Sequence, residues 1–440
     1  MRSRLRCRPS HLLALALLAV PAWKALEWSI LSFRPKRVDP ESVALGAKLF
    51  HHEFEPNDPL TGGDGLGPVF NARSCVECHH QGGPGGGGPV ENNVTVYGIA
   101  NGETRGLPAV GVVHRQAIAP EFQESLAQVG PGLPNSWTIP LEQLNDRSRT
   151  VVPTGYVVTQ RNTPALFGAG LMDAISDNVL IAHQREHSVP SRLVGLNSKV
   201  DSKIRGRVPR LADGRVGRFG WKSEFATLDD FVRAACANEL GLSNPGRPQA
   251  TPMGRQDYQE PGIDLTEEQC AAITDFLIAL PRPEQVLPED SEALALAEYG
   301  RLVFEEIGCA DCHTPKLGAV DWIYSDMLLH DLGVELESST GYYGAIIPNP
   351  TVESGGFASF EQPKPGEWRT PPLWGVADSA PYLHDGRAET LEEAISWHGG
   401  EAEDVRDRFD ELHPVDRDAL IGFLKTLRAP EVPSALGGYY

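Results

Sequence analysis

The sequence predicts a mainly α-helical chain built from two similar halves, the first of which carries an insertion. Three observations carry that reading. The pattern Cys-x-x-Cys-His occurs twice, at Cys75-Val76-Glu77-Cys78-His79 and Cys309-Ala310-Asp311-Cys312-His313, each time after a helix-like apolar segment (Ala44 to Phe50 and Ala297 to Phe304). An Arg/Thr/Pro segment also recurs, Arg161-Asn162-Thr163-Pro164 early and Arg369-Thr370-Pro371-Pro372 late. Each half then closes on an amphipathic helix stopped by proline, Leu265 to Leu277 before Pro281 and Val415 to Leu424 before Pro430.

Two thiols three positions apart, followed directly by an imidazole, suit covalent haem attachment. Each sulfur adds to a vinyl group, and His79 or His313 is held under the iron as proximal ligand. Two copies in matching contexts therefore predict two covalently bound haem c groups in two cytochrome c-like domains. A structural zinc site would need four nitrogen or sulfur ligands, and nothing at finger-like spacing follows either cysteine pair.

The chain has 440 residues, 41% of them hydrophobic, and a formal charge of -20. Residues 1 to 22 contain Arg2, Arg4, Arg6 and Arg8 and no acid, so their removal gives -20 - 4 = -24. That balance excludes nucleic acid as a partner and favours a basic redox protein. Residues 1 to 22 read as an export signal, with the apolar run Leu12 to Val20 and small residues up to Ala22. The run is shorter than the roughly 20 apolar residues of a membrane span, and an uncleaved anchor reaching about residue 31 is the alternative. Export and covalent haem both point to the periplasm. In that oxidising compartment Cys236 and Cys270 are expected to pair as a disulfide, with two buried free thiols as the alternative, while Cys7 leaves with the signal.

The N-terminal haem domain is expected over 40–285, with its insertion at 185–260, and the C-terminal one over 286–430. The glycine tract Gly82 to Gly88 cannot be regular structure; it is either a mobile loop or a close approach of backbone to the haem edge. It lacks the lysine and helix of a phosphate loop. Residues 94–160 read as irregular or short-stranded, with Val94 to Tyr97 and Tyr156 to Thr159 as candidate strands. The insertion carries a basic, Gly-spaced run from Lys203 to Arg218, then a helix with Thr227 as N-cap, and Thr266 to Gln269 form a capping box for the first closing helix. Pro281 to Pro288 read as the linker between the halves.

These segments, together with Gly217 to Gly241 and Trp368 to Gly400, resemble the di-haem oxidoreductase branch of the bacterial di-haem cytochrome c peroxidase superfamily. The resemblance covers about residues 40 to 430. It implies that His398, three residues after Thr390-Leu391-Glu392-Glu393-Ala394-Ile395, stands where the peroxidases have a methionine ligand, making His313 and His398 the axial pair of the second haem. It implies that Trp221 lies between the haems. Glu239 matches the distal glutamate that handles the peroxide proton, although Phe231 replaces a distal glutamine and the intervening segment is two residues shorter. His183, His80, His114 or an open position remain alternatives for the sixth site of the first haem. His384, in Pro381-Tyr382-Leu383-His384-Asp385-Gly386-Arg387, resembles a residue close to the second haem, with Arg387 and Arg369 as propionate partners. The relatives also hold a calcium between domains, for which the backbone oxygens of Thr370 and Pro372 are candidates.

The function expected is a periplasmic, peroxidase-like oxidoreductase that takes electrons from a small redox protein at the C-terminal haem and reacts with hydrogen peroxide at the N-terminal one. Two other readings stay open: a non-enzymatic di-haem electron carrier, and an oxidase of an organic or protein substrate. A homodimer is also compatible with the sequence.

Overall fold

The computed structural model describes residues 35–99, 110–120, 122, 150–151, 156–188, 204–252, 258–338, 363–433 and 436. Within them the chain is mainly helical, with few strands. The first helix, α1 (Pro40–His51), starts where Asp39 accepts a hydrogen bond from the Ser42 amide at 3.3 Å. Pro40 at its first position sacrifices no intrahelical donor. Its inner face buries Val43, Ala47, Leu49 and Phe50. One turn of helix follows as α2 (Cys75–Cys78), capped by Ser74, whose hydroxyl accepts from the Glu77 amide at 3.2 Å. That single turn places Cys75 and Cys78 on one face.

The two candidate strands are strands, and they pair with each other. Val94–Ile99 runs antiparallel to Tyr156–Arg161, from Val94 opposite Arg161 to Ile99 opposite Tyr156. Val110–Val113 and Thr150–Val151 flank them to give a four-stranded antiparallel sheet. The register leaves Arg161 at the strand end, from which the Asn162-Thr163-Pro164 loop departs.

Beyond that loop, α3 (Leu228–Glu239) begins at Thr227, whose hydroxyl accepts from the Asp230 amide at 3.1 Å. The next helix, α4 (Glu267–Ala279), opens on the expected Thr266/Gln269 capping box. Gly46 of α1 crosses α4 so closely that a Cβ there would lie 1.9 Å from the Ala272 carbonyl oxygen. In the second half, α5 (Ser291–Ile307) carries Gly300, and α7 (Pro414–Leu424) carries Ala419. A Cβ on Gly300 would meet the Ala419 carbonyl oxygen, again at 1.9 Å. Between them lies α6 (Leu391–Ser396), also opened by a capping box, Thr390 with Glu393.

Two apolar cores result. One gathers Phe50, Leu180, Phe225, Phe276 and their neighbours, and it reaches into the second half to include Leu317, Met327, Leu328 and Trp374. The other joins Phe304, Tyr324, Phe409 and Phe423. Pro281 to Pro288 pack along the C-terminal end, where the Val286 amide donates to the Thr426 carbonyl at 2.8 Å. Residues 1–34, which include the expected signal or anchor, lie outside the described residues. Among the described residues no helix is long and apolar enough to cross a membrane.

Candidate haem-binding sites

Each Cys-x-x-Cys-His motif opens onto its own cavity. The C-terminal cavity, of about 280 Å³, is lined by Cys309, Cys312, His313 and His398 together with Arg369 and Trp374. The N-terminal cavity, of about 110 Å³, is lined by Cys75, Cys78, His79, Phe231 and Glu239. Trp221 lines both, as do Asn162, Thr163 and Pro164.

The three imidazoles are held in one way. His79 Nδ1 donates to the Gly86 carbonyl at 3.1 Å, His313 Nδ1 to the Tyr324 carbonyl at 3.0 Å, and His398 Nδ1 to the Ala394 carbonyl at 2.8 Å. A carbonyl can only accept, so each Nδ1 holds the proton and Nε2 is left as the lone-pair nitrogen. Burial keeps all three rings neutral, pushing His79 and His313 down to about 4 and lowering His398 as well. The glycine tract is what delivers the Gly86 carbonyl. Gly82, Gly83 and Gly85 take positive φ, the Gly85 amide returns to the His79 carbonyl at 2.9 Å, and a Cβ on Gly86 would lie 1.7 Å from the Gln81 carbonyl oxygen. The tract is thus close-packed backbone around the ring. The four motif thiols are unbridged, and burial drives Cys75, Cys78 and Cys309 up to about 12, so the thiol and not the thiolate is the resting form. Paired thiols and a neutral imidazole on an apolar cavity fit a covalently held haem in each half.

Trp221 is fixed from both sides. Its Nε1 donates to the Asn162 carbonyl at 2.9 Å, and its own carbonyl accepts from the Arg369 amide at 2.9 Å. The indole therefore joins the two Arg/Thr/Pro loops. Glu239 ends α3, and one of its carboxylate oxygens accepts from Asn71 Nδ2 at 2.7 Å. The Asn71 amide also donates to the Glu239 carbonyl at 2.7 Å, so Asn71 positions the residue twice.

None of His183, His80 and His114 is among the residues that line the N-terminal cavity. His80 is exposed, and His114 is buried with its Nε2 donating to the Asn238 carbonyl at 2.7 Å. Phe231 lines the N-terminal cavity and stacks on Phe219, with ring centroids 6.2 Å apart. The disulfide expected between Cys236 and Cys270 is not formed. Both thiols are free and buried, Cys236 in the wall of the N-terminal cavity and Cys270 in the apolar core.

Around the C-terminal cavity, His384 is buried and stacked on Trp368, with ring centroids 3.6 Å apart and planes 14° apart. Arg369 lines the cavity. Arg387 does not; it is committed to the Asp385 carboxylate at 2.5–3.0 Å and to the Glu335 carbonyl at 2.9 Å. Of the two backbone oxygens expected for calcium, the Thr370 carbonyl accepts from Ser325 Oγ at 2.7 Å and from the Arg369 guanidinium at 3.3 Å.

Two features escaped the sequence. His330 bridges Asp326 at 2.8 Å and Glu401 at 2.9 Å, with its Nδ1 3.6 Å from Cys312 Sγ. Burial opposes a charge there, yet the Asp326 carboxylate, hydrogen-bonded to the ring, raises its pKa above the usual histidine range. Lys222 is 1% exposed and donates to the carbonyls of Lys364, Pro365 and Glu367 at 2.8–2.9 Å. Burial, with help from Arg161, lowers its pKa to about 7.

Residues 145–427 match the family model described as "Di-haem oxidoreductase, putative peroxidase". A curated relative, the methylamine utilization protein MauG of Methylorubrum extorquens, is 28% identical over 155 residues. That match covers 34% of this chain and 39% of MauG. Among solved structures, the di-haem peroxidase of Burkholderia thailandensis aligns at 15% identity and TM-score 0.39, over 92% of this chain and 90% of that one. Hydrazine synthase of Kuenenia stuttgartiensis aligns at 14% identity and TM-score 0.40, over 90% of each chain. These superpositions are loose and add nothing to the sequence match.

Proposed function

The chain belongs to the di-haem oxidoreductase family, and on that premise we propose that it is an exported, peroxidase-like di-haem c enzyme reducing hydrogen peroxide with electrons from a small redox protein. The observation that carries the proposal is the contrast between the two cavities. The C-terminal one presents two neutral imidazoles, His313 and His398, as a bis-histidine site does. Among the described residues lining the N-terminal one, His79 is the only imidazole, and two carboxylates, Glu224 and Glu239, share the wall, where a substrate needs room and a proton carrier. Close approach of α1 to α4 at Gly46 and of α5 to α7 at Gly300 supports a duplicated haem scaffold, with the domains at 40–285 and 286–430 and the insertion at 185–260.

Bound haems would supply iron redox chemistry, with Cys309, Cys312, His313 and His398 holding the C-terminal group and Cys75, Cys78 and His79 the N-terminal one. The chain's own residues do the rest. Cys75, Cys78, Cys309 and Cys312 hold the groups by thioether bonds. His79, His313 and His398 present Nε2 as ligands because a backbone carbonyl takes each Nδ1 proton. Glu239 removes a proton from one peroxide oxygen and returns it to the other, since O–O cleavage needs the inner oxygen deprotonated and the outer one protonated. Asn71 holds that carboxylate in place. Trp221, pinned between the two loops, positions an aromatic ring that both cavities share. Arg369 offers a guanidinium to a propionate.

The test is spectroscopic and kinetic. The di-haem protein should show a high-spin ferric component that cyanide abolishes, beside a low-spin bis-histidine one. Two low-spin haems indifferent to cyanide and peroxide would identify an electron carrier instead.

A further inference from the structure

The peroxidase reading requires electrons to reach the C-terminal cavity from outside, and one surface is built for that. Of the ten large hydrophobic side chains exposed among the described residues, four line a single groove: Leu287, Tyr299, Leu302 and Trp322, each 44–50% exposed. Trp322 is the notable member, because an indole half in water stabilises neither the core nor solubility. It is held there at a cost. Trp322, Tyr324 and Met327 all adopt positive φ (62°, 48° and 57°), a region that non-glycine residues avoid. Strain of this kind persists where surrounding structure enforces it, and it concentrates at functional sites.

What the strained loop achieves is an aromatic column leading inward. The Trp322 ring lies 6.4 Å from Tyr324, and Tyr324 lies 6.0 Å from Phe304 and 5.5 Å from Phe423. Phe304 lies 6.5 Å from His313, and the Tyr324 carbonyl is itself the acceptor of the His313 Nδ1 proton. Two links therefore separate the half-exposed indole from the ligand imidazole. Tyr324 is completely buried and its hydroxyl has no partner, so the ring sits there without a polar contact to explain it.

We propose that this groove docks a small, basic redox protein and that Trp322 and Tyr324 carry its electron to the C-terminal haem side. The proposal rests on the peroxidase reading and names its donor surface. The partner's charge follows from the segment that supplies most of the groove's wall. Glu298 lines the groove itself, the lining base Arg301 is tied to Glu305 at 2.6 Å, and from Arg282 to Glu306 the sequence has seven acids and two bases. Asp416 adds a further acid, accepting from Tyr299 Oη at 2.8 Å. A second copy of this chain would bring the same acidic rim against itself, since a two-fold interface is self-complementary. A partner with an apolar contact face ringed by Lys and Arg fits both the groove and its border.

The experiment follows reduction of the oxidised di-haem protein by a reduced basic mono-haem cytochrome c, mixed rapidly at several ionic strengths, with dithionite as a small-molecule control. Leu302→Glu should weaken docking, lowering the second-order rate constant about tenfold while the limiting rate at saturating donor is unchanged. Trp322→Leu should lower the limiting rate itself. Dithionite should reduce wild type and both variants alike, and raising salt should slow only the protein donor. Wild-type rates with both variants would overturn the proposal, as would a donor rate that rises with salt. So would a dimer in sedimentation that Leu302→Glu dissociates. A protein that dithionite reduces normally but that ignores peroxide would instead sink the peroxidase reading.

Discussion

His79, His313 and His398 share one device, a backbone carbonyl that fixes the Nδ1 proton, but their second partners set their chemistry apart. Replacing His398 by Met keeps a ligand of similar reach and exchanges imidazole for thioether, which favours the reduced iron. The midpoint potential of one haem should rise while the other stays put; redox titration reads this, and an unmoved pair of potentials removes His398 as ligand. Glu239→Gln keeps the hydrogen bond from Asn71 but cannot take a proton. Peroxide turnover should fall about 10²-fold to 10⁴-fold with both haem spectra intact, as expected when positioned acid/base catalysis is lost. His114 gives the pH test. Burial, offset in part by the Asn238 carbonyl, pushes its pKa down to about 4, so the folded state keeps it neutral while the unfolded chain binds a proton below the ordinary value of 6.5. Its contribution is fully present above 6.5 and disappears as pH falls toward 4. Between pH 7 and pH 5 that loss is about 2 kcal/mol, and in His114→Gln the fall in urea stability over the same range should shrink by about this amount. At this scale the motif residues were legible because their chemistry is written in adjacent letters. The His330 bridge was not, because Asp326 lies four positions away and Glu401 seventy-one, and only the fold brings the second to it.

Between residue and molecule, the helix crossings explain why the haem motifs sit where they do. Gly46 and Gly300 each face a carbonyl of the opposing helix, and a backbone atom cannot give way as a side chain does. Gly46→Ala and Gly300→Ala should therefore force α1 from α4, or α5 from α7, costing about 1–3 kcal/mol or more. Each should lower the melting temperature and the fraction of protein that acquires haem in its own half; a melting curve unchanged in both would refute the close crossing. Removing the Thr227 cap by Thr227→Ala should cost about 1 kcal/mol, a useful scale for comparison. The caps at Thr227 and Thr266 and the strands at 94–99 and 156–161 could be read from sequence, since they depend on local hydrogen bonds and alternation. The pairing of those strands with each other could not, because sixty residues part them. Nor could the free state of Cys236 and Cys270, because compartment says which thiols can oxidise and not which pairs the fold brings to bonding geometry.

For the whole molecule, the acidic charge visible in the sequence gives the proposed docking groove acidic neighbours, Glu298 in its wall and Asp416 on Tyr299. Trp221 was legible only through family likeness; its position on both cavity walls is a three-dimensional fact. Trp221→Phe should leave both haem spectra unchanged and slow peroxide turnover driven from the donor side, while direct oxidation of the reduced N-terminal haem by peroxide keeps its rate. Equal slowing of both would mean that the indole shapes the N-terminal cavity and does not link the two. The hydrogen bonds to Trp221 have a mechanical corollary. The indole N–H grips the Asn162 loop and the carbonyl of the same residue grips the Arg369 loop, so the two halves are riveted at one amino acid. A shift of either loop would therefore have to break one of these two hydrogen bonds or carry the other loop with it.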